Sequence, residues 1–240
     1  MSKRIIDIHN HSLCGVDDGA KDLRESIEML QAAAAQGIVA IILTPHYRHG
    51  MFAYPLDTID EQYHMLKQEV EALGIRLYPG CEYHVNSGIT DAFMSGRCHT
   101  LADGDYVLTE YSYQTEYSDM TRYTQQLLSC GYIPVIAHVE RYACIQKEPG
   151  LCDMLADMGA VIQVNADSVL GLDGRGVARV CRKLLKKGLA DVIASDAHGI
   201  KERPNHMGEC YAYVAKKYGE DYAEQLFYRN PARITGAAHR

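Results

Sequence analysis

The run Arg4-Ile5-Ile6-Asp7-Ile8-His9-Asn10-His11 decides how this chain is read. A β-rich strand over residues 4–9 runs straight into two histidines spaced two apart. Residues at that spacing on an extended segment point the same way, so His9 and His11 can grip one ion together. Six further β-rich runs stand at residues 39–43, 76–79, 106–109, 134–137, 161–165 and 191–195. Between them the spacing is helical. Leu23, Ile27, Leu30 and Ala34 share a face before Gly37; Ile59, Tyr63, Leu66, Val70 and Leu73 do so before Gly74; Val177, Val180 and Leu184 before Gly188. A glycine just past the last apolar position suits a left-handed helix cap. Further helices are expected over 119–130, 151–158, 207–218 and 221–228. Strands alternating with helices imply an α/β chain built from βα units around a mainly parallel sheet. Its 240 residues fit one domain, 1–240, with the last few residues as a frayed tail.

The residues at the C-terminal end of each strand carry the chemistry. After the first come His9-Asn10-His11 and then Asp17-Asp18; after the second, Thr44-Pro45-His46; after the third, Gly80-Cys81-Glu82. The fourth is followed by Glu110, the fifth by His138, the sixth ends in Asn165, and the seventh leads into Asp196-Ala197-His198. In parallel α/β architectures these C-terminal strand ends converge on one face, where ligands bind. Taken singly, a histidine after a strand is an ordinary core or surface residue, and Glu82 or Glu110 an ordinary capping or solvated carboxylate. Ligand-type residues at nearly every strand end are not ordinary. They point to a metal site drawn from His9, His11, the Asp17-Asp18 pair, His46, Glu82, Glu110, His138, Asp196 and His198. That set exceeds the three or four protein ligands of one zinc ion; with bridging carboxylates it suits two or three ions. Imidazole plus carboxylate without thiolate favours Mn, Fe or Zn, and Cys14 and Cys81 read as bystanders.

Four carboxylates against three divalent ions leave a filled site at about +2 before any hydroxide binds. Such a site attracts a compact dianion such as a phosphate monoester. Arg141, three residues after His138, and Arg203, five after His198, add guanidinium groups that bind phosphate oxygens bidentately. The net charge of −7 and the absence of basic runs longer than Lys186-Lys187 or Lys216-Lys217 exclude a general nucleic-acid or membrane-surface binder. Eight scattered cysteines with no CxxC pair exclude a zinc ribbon or thioredoxin-type centre and suit reduced thiols in the cytoplasm. Ile5 to Ile8 is too short for a signal peptide or a membrane span.

The ordered set of HxH, TPH, GxE, a lone strand-end histidine and DAH resembles the PHP superfamily of metal-dependent phosphoesterases. Asp7-Ile8-His9-Asn10-His11 with Asp17-Asp18-Gly19-Ala20, Thr44-Pro45-His46-Tyr47, His138-Val139-Glu140-Arg141-Tyr142, Gln163-Val164-Asn165-Ala166 and Ser195-Asp196-Ala197-His198 with Arg203-Pro204 resemble one branch more closely: the bacterial protein-tyrosine phosphatases of capsular and exopolysaccharide clusters. The likeness runs from residue 5 to about residue 236. It implies a distorted TIM-like (β/α)7 barrel and a trinuclear centre, usually of manganese. It singles out Asp18 of the aspartate pair as the ligand and matches Arg141 and Arg203 to phosphate-contacting arginines. The implied substrate is phosphotyrosine on the tyrosine-rich tail of a partner tyrosine autokinase that controls polymer synthesis. His11-Ser12-Leu13-Cys14-Gly15 and Val139 depart from the usual HxHILPG and HPERY wording without touching a ligand.

The expected chemistry is in-line attack on phosphorus by a hydroxide bridging two ions, with Asp196 and His198 in the metal machinery and Arg141 and Arg203 neutralising the equatorial oxygens. No cysteine is followed by arginine six residues later, as a cysteine-based tyrosine phosphatase requires. Tyr47, Tyr83, Tyr111 and Tyr142 fall near strand ends, where packing is the first expectation and an aromatic substrate platform the second. Competing readings are a small-molecule phosphatase such as a histidinol-phosphate phosphatase, a nuclease-type member of the superfamily, and a metal-binding regulatory module without turnover. Ions that bind only the native state stabilise it by linkage. Chelation should therefore lower the melting temperature, and an unchanged transition would count against the metal site.

Overall fold

The computed structural model describes residues 4–236. Nine strands appear: β1 (Ile5–Asn10), β2 (Ile38–Leu43), β3 (His46–Tyr47), β4 (Arg76–Pro79), β5 (Glu82–His84), β6 (Tyr106–Glu110), β7 (Ile133–Ile136), β8 (Val161–Asn165) and β9 (Val192–Ala194). All ladders between them are parallel, in the orders β1-β2-β4 and β3-β5-β6-β7-β8-β9. β3 and β5 continue β2 and β4 after short breaks, so nine segments make seven staves. The ring closes where last meets first: the Asp196 N–H donates to the His9 carbonyl and the His11 N–H to the Ala197 carbonyl, each at 2.9 Å. This is the expected α/β, TIM-like barrel of seven staves, distorted where two of them break.

The breaks have local causes. Pro45 cannot donate to a ladder. At Gly80 a Cβ would stand 2.7 Å from the Ile42 side chain and 3.2 Å from the Leu43 carbonyl, so only glycine lets the two staves cross this closely.

The staves are buried on both faces, as parallel sheets require. Ile6 and Ile8, Ala40 and Ile42, Val135 and Ala137, and Val192 and Ala194 alternate onto one face and pack with Ala232 and Ile234 near the C-terminus. Ile5, Ile41, Ile136, Ile162 and Ile193 belong to the opposite face, beneath the helices. Each fully buried Ile or Leu contributes about 1.5–3 kcal/mol relative to exposure.

The helices follow the apolar spacing: Leu23–Ala35, Leu56–Glu69, Tyr117–Ser129, Leu151–Asp157, Arg175–Lys187 and Met207–Tyr218. Three short ones, Ile89–Met94, Ala143–Lys147 and Ala166–Leu170, span too few turns to show a period. The expected helix over 221–228 is instead a composite, Glu220–Glu224, a π-helical turn over Gln225–Arg229, then Asn230–Ile234. The expected frayed tail lies outside the described residues. Among those, no helix is long and apolar enough to cross a membrane.

Asp7 fastens the closure. It is wholly buried, and its carboxylate accepts from the Ser195 N–H (3.0 Å) and hydroxyl (2.6 Å), Asn10 Nδ2 (3.2 Å) and Asn205 Nδ2 (3.1 Å). One carboxyl group thus ties β1 to the end of β9 and to the loop beyond. Asp7→Asn sets an amide N–H₂ against these donors and should cost roughly 1–3 kcal/mol, read as a lower denaturant midpoint with an unchanged slope.

Candidate metal centre

His9 and His11 leave β1 at the closure, and their orientation is set by acceptors behind them. His11 Nδ1–H donates to Asp17 Oδ2 at 2.7 Å, and the same oxygen accepts the His46 N–H at 2.9 Å. His9 Nδ1–H donates to Gln163 Oε1 at 3.1 Å, which also accepts the His138 N–H at 2.9 Å. His198 Nδ1–H donates to the Asp196 carbonyl at 2.9 Å. With Nδ1 occupied in all three, each presents Nε2 to the centre. The loop carrying Asp17 is pressed against His11: a Cβ on Gly19 would fall 2.1 Å from the His11 carbonyl oxygen and 2.7 Å from its Cβ, a contact no other residue could make.

The ligand-type atoms then converge. His9, His11, Glu82 and Asp196 each offer one atom to a group lying within 4.8 Å, as do His46, Glu82 and Glu110, and His11, His46 and His198. Glu82 is shared by two groups. His138 Nε2 lies 3.0 Å from Glu82 Oε1 and 3.9 Å from Glu110 Oε1. Asp18 Oδ1 lies 3.5 Å from Nε2 of both His46 and His198. The aspartate pair thus divides its labour: Asp17 is buried and orients His11, while half-exposed Asp18 faces the cluster.

The fit to cations rests on unsatisfied acceptors. Glu82 has no exposed surface. Its Oε2 stands 3.0–3.3 Å from nitrogens of His9, His11 and His46, yet makes no well-directed hydrogen bond; Glu110 Oε2, His46 Nδ1 and His198 Nε2 are likewise buried and unpartnered. Glu82 Oε2 and His46 Nδ1 are close in distance but wrong in direction for a hydrogen bond, as atoms that ligate an ion are. Imidazole and carboxylate donors without thiolate suit Mn, Fe or Zn.

The charges within the cluster set its protonation. Burial works against the His9 imidazolium, but Glu82 and Asp196 outweigh it and lift the pKa to about 9. Burial is likewise overcome at His46, chiefly by Glu82, to about 10. At His198 burial prevails, reinforced by His11, and the pKa falls to about 4. Glu82 and Asp196 stay well below the usual carboxylate range, because neighbouring histidines, and for Asp196 the arginines, outweigh desolvation.

Two guanidinium groups frame Asp196. Arg141 donates to its Oδ2 at 3.0 Å and to Asp173 Oδ2 at 3.3 Å; Arg203 pairs with its Oδ1 at 2.9 Å and lies 3.8 Å from Asp18. Asn165 Nδ2 also donates to Asp196 Oδ2, at 2.7 Å, while its own side-chain oxygen accepts from Gln163 Nε2. His138, Asp196 and Arg203 all adopt positive φ, at 32°, 54° and 51°, a conformation L residues resist and functional sites tolerate. Above the cluster opens a cleft of about 390 Å³, lined by Asp18, His46, Glu82, Glu110, His138 and Asp196, by Arg141 and Arg203, and by Arg48, Met51, Phe52 and Tyr113.

The nine ligand candidates thus lie in one connected cluster, and six of them line the cleft together with both arginines. Cys14 and Cys81 belong to none of the ligand groups. His206 pairs with Asp167 at 2.8 Å and does not line the cleft. Sequence reasoning does not reach the orienting roles of Asp17 and Gln163 or the tether at Asp173. Gln163 and Asn165 do leave a signal: two polar residues at period two, closing an otherwise apolar strand. Arg48, Phe52 and Tyr113 leave none, because their position depends on loop paths.

Comparison with known proteins gives a consistent picture. The family model for capsular polysaccharide synthesis proteins CpsB and CapC matches residues 5–236. The chain is 32% identical to the tyrosine-protein phosphatase CpsB of Streptococcus pneumoniae, over 96% of this chain and 98% of that protein. It is 34% identical to the tyrosine-protein phosphatase YwqE of Bacillus subtilis, over 92% and 88% of the two chains. Among solved structures, one from a study of YwqE and CpsB as metal-dependent tyrosine phosphatases superposes with a TM-score of 0.90 at 31% identity, covering 97% of this chain and 94% of the other.

The raised histidine pKa values have a signed consequence. In metal-stripped protein, the stability His9 and His46 contribute is fully present below about pH 6.5, their unfolded value, and is lost as pH rises through about 9 and 10. Cations must displace these protons, so metal affinity should climb with pH until it passes about 9 and 10. Calorimetric titration of stripped protein with Mn²⁺ at pH 7.5, in buffers of different ionisation enthalpy, should report net proton release; a heat independent of buffer would contradict the assignment.

Proposed function

The chain belongs to the CpsB/CapC family of capsular polysaccharide synthesis, and from this premise we propose that it is a metal-dependent protein-tyrosine phosphatase acting through the cluster above. The observation that carries the reading is Glu82: a carboxylate without exposed surface, among four histidines, with an oxygen that no hydrogen bond satisfies. A buried charge of this kind costs several kcal/mol unless compensated, and bound cations would provide that compensation. His9, His11, Glu82 and Asp196 would hold one ion; Glu82, Glu110 and His138 would serve a second, and Asp18, His46 and His198 a third, with His46 close to both of the latter groups. Manganese is the ion we propose, with iron or zinc compatible with the same donors.

Bound divalent ions supply Lewis acidity and lower the pKa of water to about 7, which makes a nucleophile available at neutral pH. The protein's own residues do the rest. Arg141 and Arg203 enter the cleft from the side of Asp196 and offer bidentate N–H pairs to phosphate oxygens, neutralising charge that develops in the transition state. Asp173, Asp196 and Asp18 position those guanidinium groups through their terminal nitrogens. Asp17, Gln163 and the Asp196 carbonyl keep His11, His9 and His198 in the tautomer that points Nε2 inward. The phenolate of tyrosine, with a pKa near 10, departs with less protonation than a serine alkoxide needs. The substrate we propose is phosphotyrosine in the tyrosine-rich tail of a bacterial tyrosine autokinase, met in the cytoplasm; the family's place in capsule synthesis supports this choice.

Matched phosphotyrosine and phosphoserine peptides, assayed across Mn, Fe, Zn and Mg, test the reading. Turnover should favour phosphotyrosine, vanish with chelator and return with manganese; persistent turnover in excess chelator would refute it. His138→Ala should abolish activity. Arg141→Ala should lower kcat/KM roughly 10²–10³-fold while bound metal stays near the wild-type stoichiometry.

A further inference from the structure

The aromatic residues at the mouth of the cleft are not the strand-end tyrosines. Tyr83, Tyr111 and Tyr142 are buried, and the Tyr142 hydroxyl accepts from the Tyr111 N–H at 3.1 Å. Tyr47 packs edge-on against Tyr83. The cleft is instead walled by Phe52 and Tyr113. Phe52 lies nearly parallel to the His46 imidazole, 5.3 Å between centroids and 10° between planes. It is fixed by a tight turn in which Arg48 and Phe52 exchange both backbone hydrogen bonds, each at 2.9 Å. Tyr113 is anchored by its carbonyl, which accepts the Ala143 N–H at 2.9 Å beside the segment that bears Arg141. Tyr113 is 55% exposed, and Met51, also on the rim, is 61% exposed. Both therefore offer accessible side-chain surface to whatever enters the cleft.

We infer that Phe52 and Tyr113 flank the phenyl ring of the substrate and set a preference for aryl over alkyl phosphate esters, a reading that rests on the phosphatase assignment above. The cleft has two kinds of lining, charged and aromatic. The ligand cluster and the two arginines take the phosphate; the two rings, held on independent backbone anchors and lining the same cleft, take the planar group. Aromatic pairs gain from offset or edge-to-face contact beyond the area they bury. An alkyl phosphate would satisfy the charged lining and leave the aromatic one wet.

The test uses manganese-loaded wild-type protein, Tyr113→Ala and Phe52→Leu, each assayed on phenyl phosphate and glycerol 2-phosphate. The ratio of kcat/KM for aryl over alkyl ester should fall about 3- to 10-fold in each variant, through a higher KM for the aryl ester. Competition should agree, with phenylphosphonate losing more inhibitory strength than inorganic phosphate. Because Phe52 touches His46, bound metal is measured alongside, and if Phe52→Leu loses metal then Tyr113→Ala decides. An active wild type whose ratio stays within about twofold in Tyr113→Ala, less than a ring contact is worth, overturns the inference alone. A wild type that hydrolyses no aryl phosphate with any metal removes the phosphatase assignment, and this inference with it.

Discussion

A single buried carboxylate governs this molecule. Glu82 enters from β5, loses all contact with water and stands within 3.0–3.3 Å of His9, His11, His46 and His138. A lone anion in such a place would be prohibitively costly. The surroundings are therefore organised to answer it, with imidazoles from three other staves and a donor set that bound cations would complete. The parallel barrel makes this possible because it brings C-terminal strand ends together regardless of their distance in sequence. Gly80 makes it possible at the atomic level, since the stave bearing Glu82 must pass Ile42 and Leu43 more closely than any side chain allows.

Behind the cluster a second set of polar groups decides which way each ligand faces. Gln163 serves His9 and the backbone of His138, passes a hydrogen bond to Asn165, and Asn165 passes one to Asp196. Asp196 holds Arg141, which is held in turn by Asp173, itself fixed by Ser168. The groups suited to metal and those suited to phosphate thus belong to one connected network, in which Asp196 is the common member.

The strand ends are legible in the sequence because two simple rules act together: β-rich runs alternate with helical spacing, and parallel staves end on the same side. That is enough to bring His9, His46, Glu82, Glu110, His138 and Asp196 into one site from residues spread over most of the chain. Asp17 and Asp18 cannot be told apart by residue type. What separates them is the path of a loop docked on His11 at Gly19, a contact defined only in three dimensions. The short strands β3 and β5 carry no signal of their own because they are brief continuations of β2 and β4 past Pro45 and Gly80, defined by pairing with neighbouring staves rather than by local propensity. The π-helical turn over Gln225–Arg229 interrupts a helix whose apolar spacing is regular. The strand-end tyrosines are packing residues, and the rings that face the cleft sit on loops with no periodic signature.

Five non-glycine residues among those described have positive φ, and three of them, His138, Asp196 and Arg203, face the cleft. Each such backbone costs on the order of 1–3 kcal/mol to hold, and glycine would relieve it. A laboratory selection for heat resistance alone would therefore be drawn to these three positions. It would trade turnover for toughness, so hardening this protein without silencing it means working in the barrel's lower half and its outer helices.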